Sequence, residues 1–243
     1  MRALTFAKRC TKEILRDPLN IAFGIGFPVV LLLLMSAIQA NVPVPLFEID
    51  RLTPGISVFG LSFITLFSAT LIAKDRESAF LERLFTTPLR SQDFILGYMF
   101  PMIPLAVAQS AMCYIVALML GLTININILW AILGIVPISL LYISLGLLCG
   151  SLFNVKQVGG ICGALLTNLS AWLAGIWFDL ELVSGSFRSM ARLLPFVHAV
   201  DLERALISGS FGDILVPLLT VIGYAIATGA LAVLVFLNKM KKR

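Results

Sequence analysis

Six apolar stretches, each close to the roughly 20 residues that a helix needs to cross the hydrocarbon core of a bilayer, leave this chain few folds to choose from. They fall at residues 19–39, 53–73, 98–121, 128–153, 158–178 and 214–237. An unpaired backbone N–H or C=O in lipid costs several kcal/mol, so runs this long must satisfy their own hydrogen bonds as helices. The prediction is an all-α integral membrane protein with six transmembrane helices. Composition agrees, because 59% of the 243 residues are hydrophobic and 13% charged, too few for the surface of a soluble domain. Between the fourth and fifth stretches only Asn154, Val155, Lys156 and Gln157 intervene, which makes those two an antiparallel hairpin.

The first apolar run follows a basic segment, as in a signal peptide, but it outlasts the 7–15 residues of a signal core and should stay attached. Lysine and arginine are distributed unevenly. Residues 1–16 hold five, residues 74–97 four, the 154–157 turn one and residues 239–243 four, which is fourteen of the eighteen. The other side has Arg51, Arg188, Arg192 and Arg204. The excess marks the cytoplasmic side, so both termini and the 74–97 segment are expected there, in a multi-pass protein of the plasma membrane. The same clustering beside apolar runs accounts for the net charge of +5 without nucleic acid as a partner; the lipid bilayer is the expected one.

Three polar segments carry helical patterns. In residues 75–85, Phe80, Leu81, Leu84 and Phe85 share a face while Asp75, Arg76, Glu82 and Arg83 lie around the other, the pattern of a short amphipathic helix along the membrane surface. Residues 1–16, with Leu4, Ala7, Ile14 and Leu15 among five cations, suit an N-terminal amphipathic surface helix. Residues 179–213 are apolar for an external loop, and Pro195 divides them into two short helices expected to dip toward the membrane before the last span.

The chemistry that is missing narrows the function. No Asp, Glu, Lys, Arg or His lies within the six stretches, and Gln39, Gln109 and Asn168 are their most polar side chains, which disfavours an intramembrane carboxylate relay. A P-loop is absent, so ATP is not bound that way by this chain. One histidine, His198, and four cysteines without ligand spacing give no metal site. Asp179 with Glu181, and Asp201 with Glu203 beside His198, are polar loop residues rather than catalytic pairs, so no enzyme is indicated.

Several blocks have a further significance. They are Leu52-Thr53-Pro54-Gly55-Ile56 opening the second span, residues 73–84 (AKDRESAFLERL) with Thr87-Pro88-Leu89 after it, and Leu194-Pro195-Phe196 before the sixth. Along the whole chain this pattern resembles the permease subunits of the type-2 ATP-binding-cassette exporter family, although Ser78 and Ala79 stand where Gly-Thr is common. The resemblance implies that residues 1–243 are a single permease domain without a nucleotide-binding domain. The 75–85 helix would then be the cytoplasmic coupling helix docked on a separate ATPase, with Asp75, Arg76, Glu77, Phe80, Leu81, Arg83 and Leu84 in contact. Two ATPase subunits would bind ATP and magnesium, this chain would carry no cofactor of its own, and a second permease copy or close homologue would complete the complex. Glu77 falls on the apolar face one turn before Leu81, a place for a specific partner, against the plainer option of a local pair with Arg76 or Lys74.

Phe59, Phe63 and Phe67 recur every fourth residue and share a face of the second span; Asn168, Trp172 and Ile176 share one of the fifth. The family arrangement brings these spans to a dimer centre, which makes the six residues candidates for lining a cargo pathway, with ordinary packing or lipid contact as the alternative. The function expected is export of a hydrophobic or amphipathic cargo, such as a drug, a lipid or a lipid-linked or peptide compound. A non-transporting polytopic protein, a complex scaffold or an intramembrane enzyme, is the other option.

Overall fold

The computed structural model describes residues 2–42, 47–78, 91–178, 180–183 and 185–241, and the regular elements among them are all helical. In chain order they are α1 (Arg2–Leu15), α2 (Pro18–Ile21), a π-helical segment (Ala22–Gly26), α3 (Phe27–Gln39), α4 (Ile49–Glu77), α5 (Ser91–Met119) and α6 (Asn127–Leu152). There follow α7 (Val155–Val158), a second π-helical segment (Gly159–Leu166), α8 (Thr167–Leu173), a 3₁₀ turn (Leu180–Leu182), α9 (Gly185–Leu193), α10 (Pro195–Ser208), a second 3₁₀ turn (Phe211–Asp213) and α11 (Leu215–Lys241). Among the described residues, five helical runs are long and apolar enough to cross a membrane: Ala22–Gln39, Ile49–Glu77, Ile95–Met119, Asn127–Leu152 and Phe211–Phe236. All four cysteines are free thiols.

The expected 158–178 stretch differs from a regular span. Its helix starts earlier, at Val155, widens to π geometry over Gly159–Leu166 and stops at Leu173. An Asn154/Gln157 capping box begins it. Thr167 then donates its hydroxyl to the carbonyl of Cys162 at 2.8 Å, five residues back, a reach that suits the widened π turn. Gly175, at φ +63°, turns the chain away just past its end, so Ile176–Phe178 is not helical.

Helix α4 is the axis of the bundle, touching α3, α5, α6, the second π segment, α8 and α10. Its small polar residues make this possible. Ser57 donates to Ser110 Oγ of α5 at 2.8 Å, Thr65 donates to the Tyr142 carbonyl of α6 at 2.8 Å, and Ser62 and Ser170 of α8 share a hydrogen bond of 3.1 Å. Each such bond inside a membrane protein contributes only about 0.6 kcal/mol, but together they fix α4 in register with three neighbours. Glycines let backbones meet: a Cβ on Gly146 would lie 2.6 Å from the Thr65 carbonyl oxygen, and one on Gly150 2.6 Å from that of Ala69. By contrast, a Cβ on Gly159 would meet nothing within 4 Å, so of the two GxxxG spacings in the sequence the first closes a tight helix contact.

Both chain ends lie at one end of the bundle. Phe6 of α1 packs edge-on against Tyr98 near the start of α5, with ring centroids 5.0 Å apart, and Phe236 of α11 lines a crevice with Ile72, Ile95 and Tyr98. The α6–α7 turn is at the same end. Helix α1 is therefore no simple surface helix: Phe6, Ala7 and Cys10 are buried, while Leu4 and Leu15, expected to anchor it, point outward. At the opposite end the two helices expected around Pro195 are α9 and α10, the latter seated against α4, α6 and α11 and closed by Gly209 at φ +77°.

The glycine contacts predict opposite results at two positions. Gly150→Leu should lower the thermal midpoint of the detergent-solubilised protein, since overpacking against backbone costs about 1–3 kcal/mol. Gly159→Ala should leave it unchanged or raise it. Equal sensitivity at both positions would show that α4 and α6 are not in backbone contact.

Candidate functional site

The last turn of α4 holds four consecutive ionisable residues, Lys74 to Glu77, and each of the last three grips a different part of the molecule. The separate helix expected to begin at Asp75 does not begin there: Asp75, Arg76 and Glu77 complete α4, and Ser78 is extended. Phe80, Leu81, Arg83 and Leu84 lie outside the described residues. Consecutive residues on an α-helix project about 100° apart, so three in a row address most of its circumference.

Asp75 is buried. Both of its oxygens receive the Arg9 guanidinium, with Arg9 Nη2 donating to Oδ1 at 2.8 Å and Nη1 to Oδ2, and the Tyr98 hydroxyl donates to Oδ2 at 2.8 Å. Arg9 also pairs with Glu13 at 2.7 Å, one turn along α1. Burial works against the Arg9 charge, but the hydrogen bonds and charge of Asp75 more than offset it, leaving the guanidinium harder to deprotonate than usual. The neighbouring Cys10 thiol is pushed up to about 12 by burial and stays protonated. Arg9 was not among the residues singled out from the sequence, where it was one of five cations in the first helix with no hint of a partner 66 residues away.

Arg76 reaches the opposite way. Its Nη2 donates to the Phe153 carbonyl at 2.8 Å and its Nη1 to the Ser151 carbonyl, so a cation covers the open carbonyls at the end of α6. Glu77 Oε1 accepts the backbone N–H of Val155, the first residue of α7, at 2.9 Å. A carboxylate thus sits on the helix N-terminus that follows the turn. Arg76 and Glu77 together clasp the α6–α7 hairpin from both sides, and the specific partner of Glu77 in this chain is the Val155 amide rather than Arg76 or Lys74.

The expected pathway residues do not gather on one surface. Phe59 and Phe63 pack on Phe27 of α3, with Phe59 also 5.7 Å from the Trp177 ring, and Phe67 lies over Gly24. Ile176 is buried over Gly55. Asn168 and Trp172 face outward beside Leu165 and Leu169, Trp172 being 58% exposed. Asn168 donates to the Ala164 carbonyl of its own helix at 2.8 Å. Among the described residues no three His, Cys, Asp or Glu side chains are placed to hold a metal ion.

At the far end of the bundle, Glu203 of α10 departs from its sequence assignment as a loop polar. It is completely buried; Oε1 accepts the Tyr114 hydroxyl of α5 at 2.9 Å, and Oε2 has no partner. The helical spacing of Phe196, Ala199, Val200 and Leu206 would have placed it on the apolar face of α10. Gln109, midway along α5, is likewise buried, packed over Gly60 with its Nε2 donating to Cys113 Sγ at 3.4 Å. Glu181 pairs with Arg188 at 2.9 Å on the surface, and Asp179 lies outside the described residues.

The model of the family described as ABC-2 type transporter matches residues 2–207, from α1 into the last turn of α10. No curated protein matches the chain. A match over most of the sequence, on a helical bundle with five membrane-crossing runs, settles the resemblance carried by the sequence blocks. The chain belongs to the ABC-2 type transporter family, as a multi-pass membrane transport subunit whose ATP hydrolysis is performed by a partner chain.

Proposed function

We propose that this protein is the permease subunit of an exporter in the plasma membrane, working as two permeases with two ATPase subunits that bind ATP and magnesium. The Val155–Leu173 run supplies the sixth crossing, and both termini with the 74–97 segment lie in the cytoplasm. One observation carries the mechanism: Asp75, Arg76 and Glu77 bond to α1 with α5, to the end of α6 and to the start of α7. The residues that follow, with Phe80, Leu81, Leu84 and Arg83, supply the contact with the ATPase. A push there is delivered to α1 and the third span through Asp75, and to the α6–α7 hairpin through Arg76 and Glu77.

The hairpin leads to the outward face of Leu165, Asn168, Leu169 and Trp172, which two copies bring together as the cargo path. An indole and an amide among leucines suit a hydrophobic or amphipathic cargo. Phe59, Phe63 and Phe67 pack instead toward Phe27 and Gly24, and Ile176 over Gly55.

Two experiments test this. A membrane-impermeant thiol reagent applied to intact cells should label Ser208→Cys and leave Ser91→Cys unlabelled; the reverse pattern overturns the topology. For coupling, bonds from a charged donor such as Arg76 contribute about 1.5–3 kcal/mol each, so the clasp is stiff enough to transmit a displacement. The Arg76→Ala, Glu77→Ala variant should insert and retain its ATPase with basal hydrolysis, while cargo-stimulated hydrolysis and export fall at least about tenfold, the factor that 1.4 kcal/mol represents. Undiminished export by that variant would remove the clasp from the mechanism.

A further inference from the structure

Glu203 is a buried carboxyl with half of its hydrogen-bonding capacity unused, an arrangement that costs free energy in any helix and more where water is excluded. Its surroundings are closely packed. Helix α10 is seated against α4, α6 and α11. From α6 comes Gly134, where a Cβ would lie 3.4 Å from Glu203 Oε2 and 2.2 Å from the end of the Leu206 side chain, so a larger residue there would displace Leu206 and press on the carboxyl. The titratable groups facing the carboxyl are Tyr114, its hydrogen-bond donor, and behind it Cys113, both on α5. Tyr142 of α6 packs under Phe196, Tyr224 of α11 donates to the Leu193 carbonyl, and Asp50 and Arg51 of α4 are exposed. On α10 itself Arg204 donates to the Gly175 carbonyl, and Asp201 interacts with His198, Arg192 and Arg204. Among the described residues no cation bonds to Glu203.

We propose that Glu203 is a proton-binding site that latches α10 into the bundle: α10 stays seated while the carboxyl is neutral, and lifting it out releases the proton to the water at that end. The step is a simple ionisation, the carboxylic acid giving a carboxylate and a proton to solvent. A single buried carboxyl with one tyrosine is no relay across the membrane, so it gates a movement rather than carrying protons through.

Burial pushes the Glu203 carboxyl up to about 8, with the Tyr114 hydroxyl opposing that rise by favouring the charged form. Once lifted into water it would titrate near the ordinary value of about 4.3. The seated state thus keeps its full advantage below about pH 4.3 and loses it as pH rises toward 8, unseating becoming about tenfold easier per pH unit in between. That this end faces the exterior rests on the topology proposed above.

Hydrogen–deuterium exchange of the full-length protein in detergent, corrected for intrinsic exchange, reads the latch directly, with the proton itself as the probe. The opening constant of amides 196–208 should rise about tenfold per unit from pH 6 and level off near pH 8. Glu203→Gln, isosteric with the neutral acid, should be flat. Tyr114→Phe should move the plateau to higher pH, a shift that a merely structural hydroxyl would not produce and that decides the matter alone if Glu203→Gln misassembles. A flat profile in the unmodified protein, the same slope in Glu203→Gln, or a plateau moved downward by Tyr114→Phe would each overturn the latch. Detergent has no sides, so these outcomes leave the topology untouched; reversed thiol labelling would redirect the proton without affecting the latch.

Discussion

Asp75 sits where the central helix of the bundle ends, and its burial is the constraint to which the surrounding structure answers. An acidic side chain withdrawn from water must be surrounded by donors or it costs several kcal/mol. Arg9 and Tyr98 meet that demand with three hydrogen bonds. Meeting it fixes α1 against α5, with Phe6 on Tyr98 and Cys10 completely buried, so an N-terminal helix rich in cations becomes part of the packed bundle. Once Asp75 is pinned, helical geometry decides the rest: Arg76 is turned toward the carbonyls that end α6, and Glu77 toward the amide that begins α7.

Stiffness and freedom are distributed accordingly. Helix α4 is held by hydroxyl bonds to α5, α6 and α8 and by backbone contact at Gly146 and Gly150, and a rigid rod of this kind carries displacement along its length. The Val155–Leu173 run is different in character. It is gripped at its start by Glu77, widened to π geometry along Gly159–Leu166, and presents Leu165, Leu169 and Trp172 outward. A helix held firmly at one end and loosely packed along one face is free to shift against whatever covers that face.

Five of the six expected spans were legible because length and apolarity answer a single physical question, whether a run can satisfy its backbone in lipid. The two helices around Pro195 were legible for a similar reason, the missing N–H of proline being tolerated only at a helix start. What sequence periodicity could not supply was the identity of neighbours. Phe59, Phe63 and Phe67 do share a face, but that face is turned toward Phe27 and Gly24, a choice made by packing between distant segments. The boundary at Asp75 was misplaced because the change from apolar to charged residues suggested an exit from the membrane layer, whereas Arg9 allows α4 to continue to Glu77. Glu203 was passed over because an acid in a loop-like stretch is usually solvated, and only the seat between α5 and α6 makes it otherwise.

The central claim is that the end of α4 moves the α6–α7 hairpin when the ATPase acts. Electron–electron resonance between spin labels on Lys156 in the two permease copies proposed for the complex, co-purified with their ATPase, measures that movement directly. Trapping nucleotide should change the distance between the labels in the otherwise unmodified protein and leave it unchanged when Arg76 and Glu77 are both replaced by alanine with the ATPase still bound. The same nucleotide-driven change in the variant would contradict the account.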